Sequence, residues 1–499
     1  MGVLLPCVLG DGRGTTLSEV LSVPEVRGAG RTFLEPDREA VAVTEPRVAV
    51  VGGGVTGLLA AAHLADADAE VTVLEASDRV GGQLCTGLVG GQPVDLGAEA
   101  LHLGAPGVAE LIERAGLTAD LVDARPGPTM VATRRGLRQL PGGMGPSGPS
   151  RLWPVATSRI LSLRGLVRAA AEPAVRSSDL DGDVAVGEYL ARRFGRELVD
   201  RLLDPLLGNL HAGDVDRLSL AAATPQLDRL ARQHRSLVLA RRGGGRAAPP
   251  RFATVVGGLS RIATALAADP RIVVRTSTPV QAVRRTAAGY LVDVGVPLEV
   301  DAVVFALPAR SCATLLEPLA PRAAEPLREL RANSVATVAA AYPRGALRGL
   351  PAADANGILV PRSLGRPLNA ATLLTNKWPH LDDGGSFLVR LSVADDAERP
   401  LGQRSDAQVL DLAHAGFARI TGIASPPLDA TVQRWQRGMP QLEVGHRDRL
   451  GEARRQLEGE ALVLAGASCD GVGIINCIRS AEASAARTLE QLERRRVAA

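Results

Sequence analysis

The sequence predicts an α/β protein in which a Rossmann-like dinucleotide-binding domain is joined to a helical subdomain. Three observations carry this. Residues 47–82 read RVAVVGGGVTGLLAAAHLADADAEVTVLEASDRVGG, with strand, glycine turn, helix, strand and acid in the order of a nucleotide-binding βαβ unit. Residues 161–207 show apolar positions at helical spacing. Residues 462–493 repeat the order of strand, glycines and helix near the other end of the chain.

In the first unit Val48, Ala49, Val50 and Val51 form the entering strand. Gly52 permits the tight turn, Gly54 lets backbone approach a pyrophosphate, and Gly57 lets the helix pack closely on the strand. Val55 and Thr56 open that helix, whose unpaired N–H groups and dipole favour an anion. The strand at 71–74 ends in Glu75, which with Ala76 is placed to meet a ribose. Arg79 follows and can pair with phosphate, while Gly81 and Gly82, with Gln83 next, let the chain pass against the cofactor. This RxGG extension resembles that of flavoproteins related to amine oxidases and selects FAD rather than NAD.

A chain of 499 residues accommodates two or three domains. Its 46% apolar content and 57 basic against 54 acidic residues describe a globular protein without the strongly basic surface of a nucleic-acid binder. Lys377 is the only lysine, a bias expected of a coding sequence rich in G and C. Cys7, Cys85, Cys312, Cys469 and Cys477 are odd in number and scattered, which argues against a metal site or disulfide framework and for a reducing, cytoplasmic compartment. Residues 1–46 read as a poorly ordered extension without a secretory signal. No apolar run approaches the ~20 residues that span a bilayer, which leaves peripheral membrane contact through an apolar patch open.

Further along, residues 131–140 read as a hairpin carrying Arg134, Arg135 and Arg138, and 241–250 as a flexible linker. A strand ending in Thr278, Pro279 and Val280 is expected to return to the first sheet beside the adenine, where the Val280 backbone reads the base. The apolar strand at 302–306 brings Ala306 to the cofactor. In the tail, Gly466, Gly471, Val472, Gly473 and Ile474 form a second strand-to-helix junction. It can present N–H groups and a positive helix end to the flavin or its phosphates.

Residues 204–227 (DPLLGNLHAGDVDRLSLAAATPQL), 257–266 (GGLSRIATAL), 376–380 (NKWPH), 440–446 (PQLEVGH) and 467–480 (ASCDGVGIINCIRS) together resemble the oxygen-dependent protoporphyrinogen/coproporphyrinogen oxidases. The likeness runs from about 47 to 492 and is strongest to the coproporphyrinogen III oxidases of Gram-positive and actinobacterial haem synthesis. It implies an α/β, Rossmann-like FAD-binding domain with a mixed-sheet substrate domain and a helical subdomain. The expected division gives 47–100, 250–312 and 455–495 to FAD, 101–215 to the helical part, and 216–249 with 313–454 to substrate. The implied reaction is a six-electron oxidation of coproporphyrinogen III or protoporphyrinogen IX in three two-electron steps, with O2 as acceptor and H2O2 as product. The alternative is a related flavin enzyme acting on an amine or a specialised-metabolite intermediate. A monomer or homodimer, a small-molecule substrate and a docking partner from the haem pathway complete the implied picture.

Arginines are natural partners for propionates, and Arg134, Arg135, Arg138, Arg362 and Arg366 are candidates, together with Lys377 and its neighbour Trp378. No acid or base identifies itself as catalytic, and His211 and Asp214 are the cleft residues suggested by the resemblance. The chain departs from its relatives where they carry an arginine after the LGAE-type segment, here Leu96 to Gly104 without one. Three Trp, three Tyr and six Phe leave a tetrapyrrole pocket to aliphatic packing and argue against an aromatic cage for an amine.

Overall fold

Strands too apolar to face water on either side require a parallel sheet covered on both faces. Arg47–Val51, Glu70–Leu74, Ala302–Phe305 and Leu462–Leu464 are buried along almost their whole length. In the computed structural model, which describes residues 45–175, 180–243, 251–365, 367–395 and 400–498, they form one parallel sheet. From edge to edge its order is Ile272–Arg275, Glu70–Leu74, Arg47–Val51, Ala302–Phe305 and Leu462–Leu464. Helices Val55–Ala65 and Ile474–Ala498 pack along each other, with the small buried residues Ala60, Ala61, Ala481 and Ala485 in the shared core.

A second, seven-stranded sheet runs in the order Asp429–Pro440, Ala332–Pro343, Ser386–Ala394, Leu368–Leu373, Gly357–Leu359, Thr129–Thr133 and Gly136–Gln139. It is antiparallel except where Gly357–Leu359 lies parallel to Thr129–Thr133. Helix Asp406–Thr421, closed by a Ser405 and Gln408 capping box, covers one face. Short helices between 152 and 243 build the third unit around Leu190, Phe194, Leu198 and Leu202. Inside it the fully buried Glu172 accepts from Arg193 Nε (3.0 Å), Ser236 Oγ (2.5 Å) and Leu237 N (2.9 Å), so that its charge is paired where water is excluded.

The chain moves between these units differently from the expected division. Strands Leu101–His102 and Leu121–Asp123 pair with Phe252–Val255, and Val108, Leu111 and Ile112 join the nucleotide-binding core. The hairpin Thr129–Thr133 and Gly136–Gln139 belongs to the seven-stranded sheet, so 101–215 is not one helical block. Within 216–243 lie the helices Leu220–Ala223, Pro225–Gln233 and Leu237–Gly243, and Leu227, Leu237 and Val238 pack in the helical core. Apolar spacing predicts a buried face but does not say which core receives it, which is why the elements are legible and their allegiance is not. The first 44 residues and positions 244–250 of the linker lie outside the described residues.

Candidate functional site

Three adjacent parallel strands deliver three chain reversals to one edge of the first sheet. Arg47–Val51 leads into the glycine turn, Ala302–Phe305 into Ala306, and Leu462–Leu464 into Gly466. Ligands of such sheets bind beyond the carboxyl ends of the strands. Ala306 N donates to Val51 O (2.8 Å), and a Cβ on Gly52, whose φ is +108°, would stand 2.5 Å from Ala306 O. A Cβ on Gly57 would stand 2.0 Å from Gly52 O, so only glycine lets the helix start this close to the turn. Gly54 differs: nothing lies within 4 Å of where its Cβ would be, and it caps Val55–Ala65 with no side-chain bond to the helix's first N–H groups. The turn therefore combines tight packing beneath with open backbone donors above.

The far junction complements it. Gly466, Gly471 and Gly473 all have φ above +100°, and Gly473 also borders open space. A short helix, Ala467–Asp470, stands between the strand and the final helix, which begins at Ile474. Ser480 Oγ accepts from Gly466 N (2.8 Å) and donates to Asp470 Oδ2 (2.5 Å), fixing the reversal. Burial raises the Cys477 thiol and nearby Thr56 opposes the shift, so the beginnings of the two long helices lie close together. Val472 and Ile474 are half-buried on either side of exposed Gly473.

Glu75 Oε2 accepts from Gly53 N (2.7 Å) and its Oε1 from Ser77 N (2.9 Å) and Ser77 Oγ (2.7 Å), which aims the carboxylate over the turn beside exposed Ala76. The strand expected to run to Val280 stops at Arg275. Ser277 N then bonds Ser77 O (2.7 Å) and Thr278 N bonds Glu75 O (2.8 Å), leaving Val280 after the edge strand with its N–H and C=O unpartnered among the described residues. Arg79 is turned onto its own loop, donating to Gly82 O (3.0 Å) and Val80 O (3.3 Å). It holds the reversal at Gly81 and Gly82, where Gly81 N meets Gly53 O (2.8 Å). Gln83 Nε2 reaches across to Gly438 O on the seven-stranded sheet. The open donors at Gly54, the tight glycine cradle and the oriented Glu75 fit a dinucleotide of the FAD type.

The proposed substrate contacts fare differently. Lys377 Nζ is bound to Glu99 Oε1 and lies 4.7 Å from the Trp378 ring centroid, while Arg390 Nη1 takes Glu99 Oε2 (2.7 Å). Burial opposes ionisation of Glu99, but Lys377 and Arg390 outweigh it and hold the carboxyl at about 2. The lysine expected to meet substrate is thus engaged in a partly buried triad. Arg362 binds Asp204 (3.0 Å) and Asp214 (2.7 Å), tying the helical unit to the sheet. Asp214 is committed there and does not pair with His211. Its burial is outweighed by Arg362 and by the Asp216 N–H, which keep it below the usual carboxylate range. His211 is buried, neither ring nitrogen has a partner among the described residues, and burial lowers it to about 4. Arg134 and Arg135 are exposed at the hairpin end; Arg138 lies on the opposite outer strand of the sheet from the one that meets Gln83. Six strand steps of ~4.8 Å separate those edges by about 29 Å in a flat sheet, too far to frame one small cleft. Arg366 lies outside the described residues.

Sequence reasoning missed the strand that closes this region. Trp435 Nε1 donates to Leu96 O (3.3 Å) and Thr337 Oγ1 (3.3 Å), and a Cβ on Gly97 would stand 3.2 Å from Trp435 Cζ2. The only signal was local: Arg437-Gly438 interrupts a strand-like run before Pro440, the mark of a bulge.

The family profile of flavin containing amine oxidoreductase matches residues 55–489. A coproporphyrinogen III oxidase of Mycobacterium leprae (strain TN) is 35% identical over 463 residues, covering 90% of this chain and 99% of that protein. The coproporphyrinogen III oxidase of Bacillus subtilis (strain 168) is 29% identical, covering 89% and 98%. A crystal structure of an Exiguobacterium sp. 255-15 protein assigned as a protoporphyrinogen oxidase superposes with a TM-score of 0.80 at 27% identity, covering 90% of this chain and 99% of that one.

Proposed function

The chain belongs to the flavin containing amine oxidoreductase family, and within it we propose that it oxidises a porphyrinogen, coproporphyrinogen III before protoporphyrinogen IX, to the porphyrin. The observation that carries this is the near-complete two-way coverage with proteins named coproporphyrinogen III oxidase. FAD, when bound, supplies the two-electron acceptor that O2 restores with release of H2O2.

What remains for the protein is binding, orientation and exclusion. Gly52, Gly54 and Gly57 with the first turn of helix Val55–Ala65 hold the pyrophosphate, Glu75 the ribose, and the Val280 backbone the base. Gly81, Gly82, Gln83 and the junction from Gly466 to Ile474 border the ring. The Trp435 strand, docked on Leu96 and Gln83, walls the cleft and limits water at the reacting carbon. Purified, FAD-loaded protein given each porphyrinogen in air should develop porphyrin fluorescence well above the uncatalysed rate; no rise with either sinks the proposal.

Among the described residues no helix is long and apolar enough to cross a membrane. Peripheral contact is a separate matter, and one surface favours it. Trp153, Leu163 and Val167 are 77%, 79% and 64% exposed on neighbouring short helices, among exposed Arg151, Arg159 and Arg164. An apolar face ringed by arginine suits an anionic lipid surface. Flotation with phosphatidylglycerol vesicles should carry the wild type and leave a W153A/L163A protein behind; equal flotation of both removes the idea.

A further inference from the structure

Only a few residues with a Cβ adopt positive φ in the described chain: Asp68, Arg159, Ala212, Ser277 and Arg437. Left-handed backbone is disfavoured for such residues and persists where the surroundings enforce it, often at functional sites. Two of the five are held by consecutive residues of one strand. Asn333 Nδ2 donates to Ala212 O (2.8 Å), and Arg437 N donates to Ser334 Oγ (3.1 Å). Ala212, at φ +46°, ends the helix that carries buried His211; Arg437, at +47°, stands in a bulge of the neighbouring strand.

The bulge is large. Asn333 is paired with Met439 and Val335 with Trp435, so residues 436–438 loop out opposite Ser334 alone. It is also anchored on both sides, by Trp435 on Leu96 and by Gly438 O on the Gln83 amide that follows Gly81 and Gly82. The nucleotide-binding unit, the sheet and the helical unit therefore meet at this strand end, and Arg437 is presented there. Its side chain is exposed and has no hydrogen bond or carboxylate partner among the described residues. Arg434, on the same strand, shows the contrast: it is tied to Asp406 and to the Arg404 carbonyl (2.7 Å).

We propose that Arg437 is a carboxylate-binding residue at the rim of the flavin cleft, held in strained backbone so that its guanidinium meets a peripheral carboxylate of the substrate. The planar fork suits two-point binding of a carboxylate, and an unpaired arginine does not have to surrender an internal partner to bind one. This rests on the porphyrinogen reading. It also refines it, because coproporphyrinogen III carries a carboxylate on every pyrrole ring and protoporphyrinogen IX on only two.

The test uses the FAD-loaded full chain and the variants R437G, R437Q and R437K, with turnover of both porphyrinogens and equilibrium binding of coproporphyrin III measured separately. Loss of a charged two-point contact should raise KM for coproporphyrinogen III and Kd for coproporphyrin III roughly tenfold to a hundredfold in R437G and R437Q. The kcat should stay within about twofold, protoporphyrinogen IX should be affected less, and R437K should recover part of the loss. Added salt should weaken binding by the wild type more than by R437Q. Glycine accepts this φ, so R437G should keep its flavin and its thermal midpoint, which separates the guanidinium from the fold. Unchanged KM and Kd in both R437G and R437Q overturn the proposal while leaving the oxidase reading intact. A wild type that binds coproporphyrin III through Arg437 but turns over neither porphyrinogen overturns the oxidase reading alone; absence of both binding and turnover overturns the two together.

Discussion

Glu99 and Arg437 both stand where the seven-stranded sheet meets the nucleotide-binding unit, and they handle charge in opposite ways. Around Glu99 both carboxylate oxygens are taken, by Lys377 and by Arg390, and a second Arg390 nitrogen meets the Gly97 carbonyl, while Arg390 Nε is buried without a partner among the described residues. Around Arg437 the backbone is held on both sides while the guanidinium is left open. Buried charges are tolerated when paired and hydrogen-bonded. A cation kept unpaired on a constrained backbone is instead available to something outside the fold. The difference reassigns the chain's only lysine, its most conspicuous basic residue, to architecture.

The comparison breaks first at Glu99, where the largest effect is expected. Glu99→Gln leaves Lys377 and Arg390 in a poorly hydrated site without their counter-charge, at a cost of about 3–5 kcal/mol. Urea unfolding at neutral pH measures it, and a loss under about 1 kcal/mol would place Glu99 with the open groups. The pH dependence has a definite sign. The folded carboxyl lies at about 2 against 4.5 unfolded, so its stabilisation is complete above about 4.5 and disappears as pH falls towards 2. In the glutamine variant that part of the acid limb should vanish.

Arg362→Ala should cost less, about 1–3 kcal/mol, because the arginine is 42% exposed while its partner Asp204 is buried at 4%. Burial raises the Asp204 pKa even with Arg362 present, so losing the arginine should also move the variant's stability maximum to lower pH. Glu75→Ala lies between the two classes, since both oxygens accept hydrogen bonds from Gly53 and Ser77 but no cation pairs with them among the described residues. It should leave the chain folded and weaken FAD retention in dialysis, and undiminished retention would take the acid off the ribose.

How much of this was readable from residues alone follows the same division. Gly52, Gly54, Gly57 and Glu75 were legible because the demands on them are local: a turn, a close approach and an acid at the end of the next strand. The junction at Gly466 to Ile474 was legible for the same reason. The partnership of Lys377 with Glu99 spans 278 residues, and nothing near either residue announces it. The hairpin Thr129–Thr133 and Gly136–Gln139 was visible as a hairpin, but its place in the sheet depends on a parallel pairing with Gly357–Leu359. Arg437 is intermediate: Arg-Gly inside a strand hints at a bulge, yet the strain arises only when Ser334 and Gln83 grip either side.

His211 gives the smallest effect and the sharpest division between the two classes. Both ring nitrogens are buried without a partner among the described residues, and burial lowers the ring to about 4 from 6.5. A depressed histidine is neutral in the fold and protonated in the unfolded chain below pH 6.5. It therefore withdraws stability progressively as pH falls from about 6.5 to 4 and is neutral in effect above that window. His211→Leu removes both unsatisfied nitrogens and the titration. Stability at pH 7 should be unchanged or up by about 1 kcal/mol, and the decline between pH 6.5 and 4 should flatten. Urea midpoints at pH 7 and pH 5 decide it. A variant weaker by 2 kcal/mol or more at pH 7 would mean that the ring has a partner in the folded protein, placing His211 with Glu99; a stable variant with raised KM for the porphyrinogen would place it with Arg437, since the cost would then appear only when substrate binds.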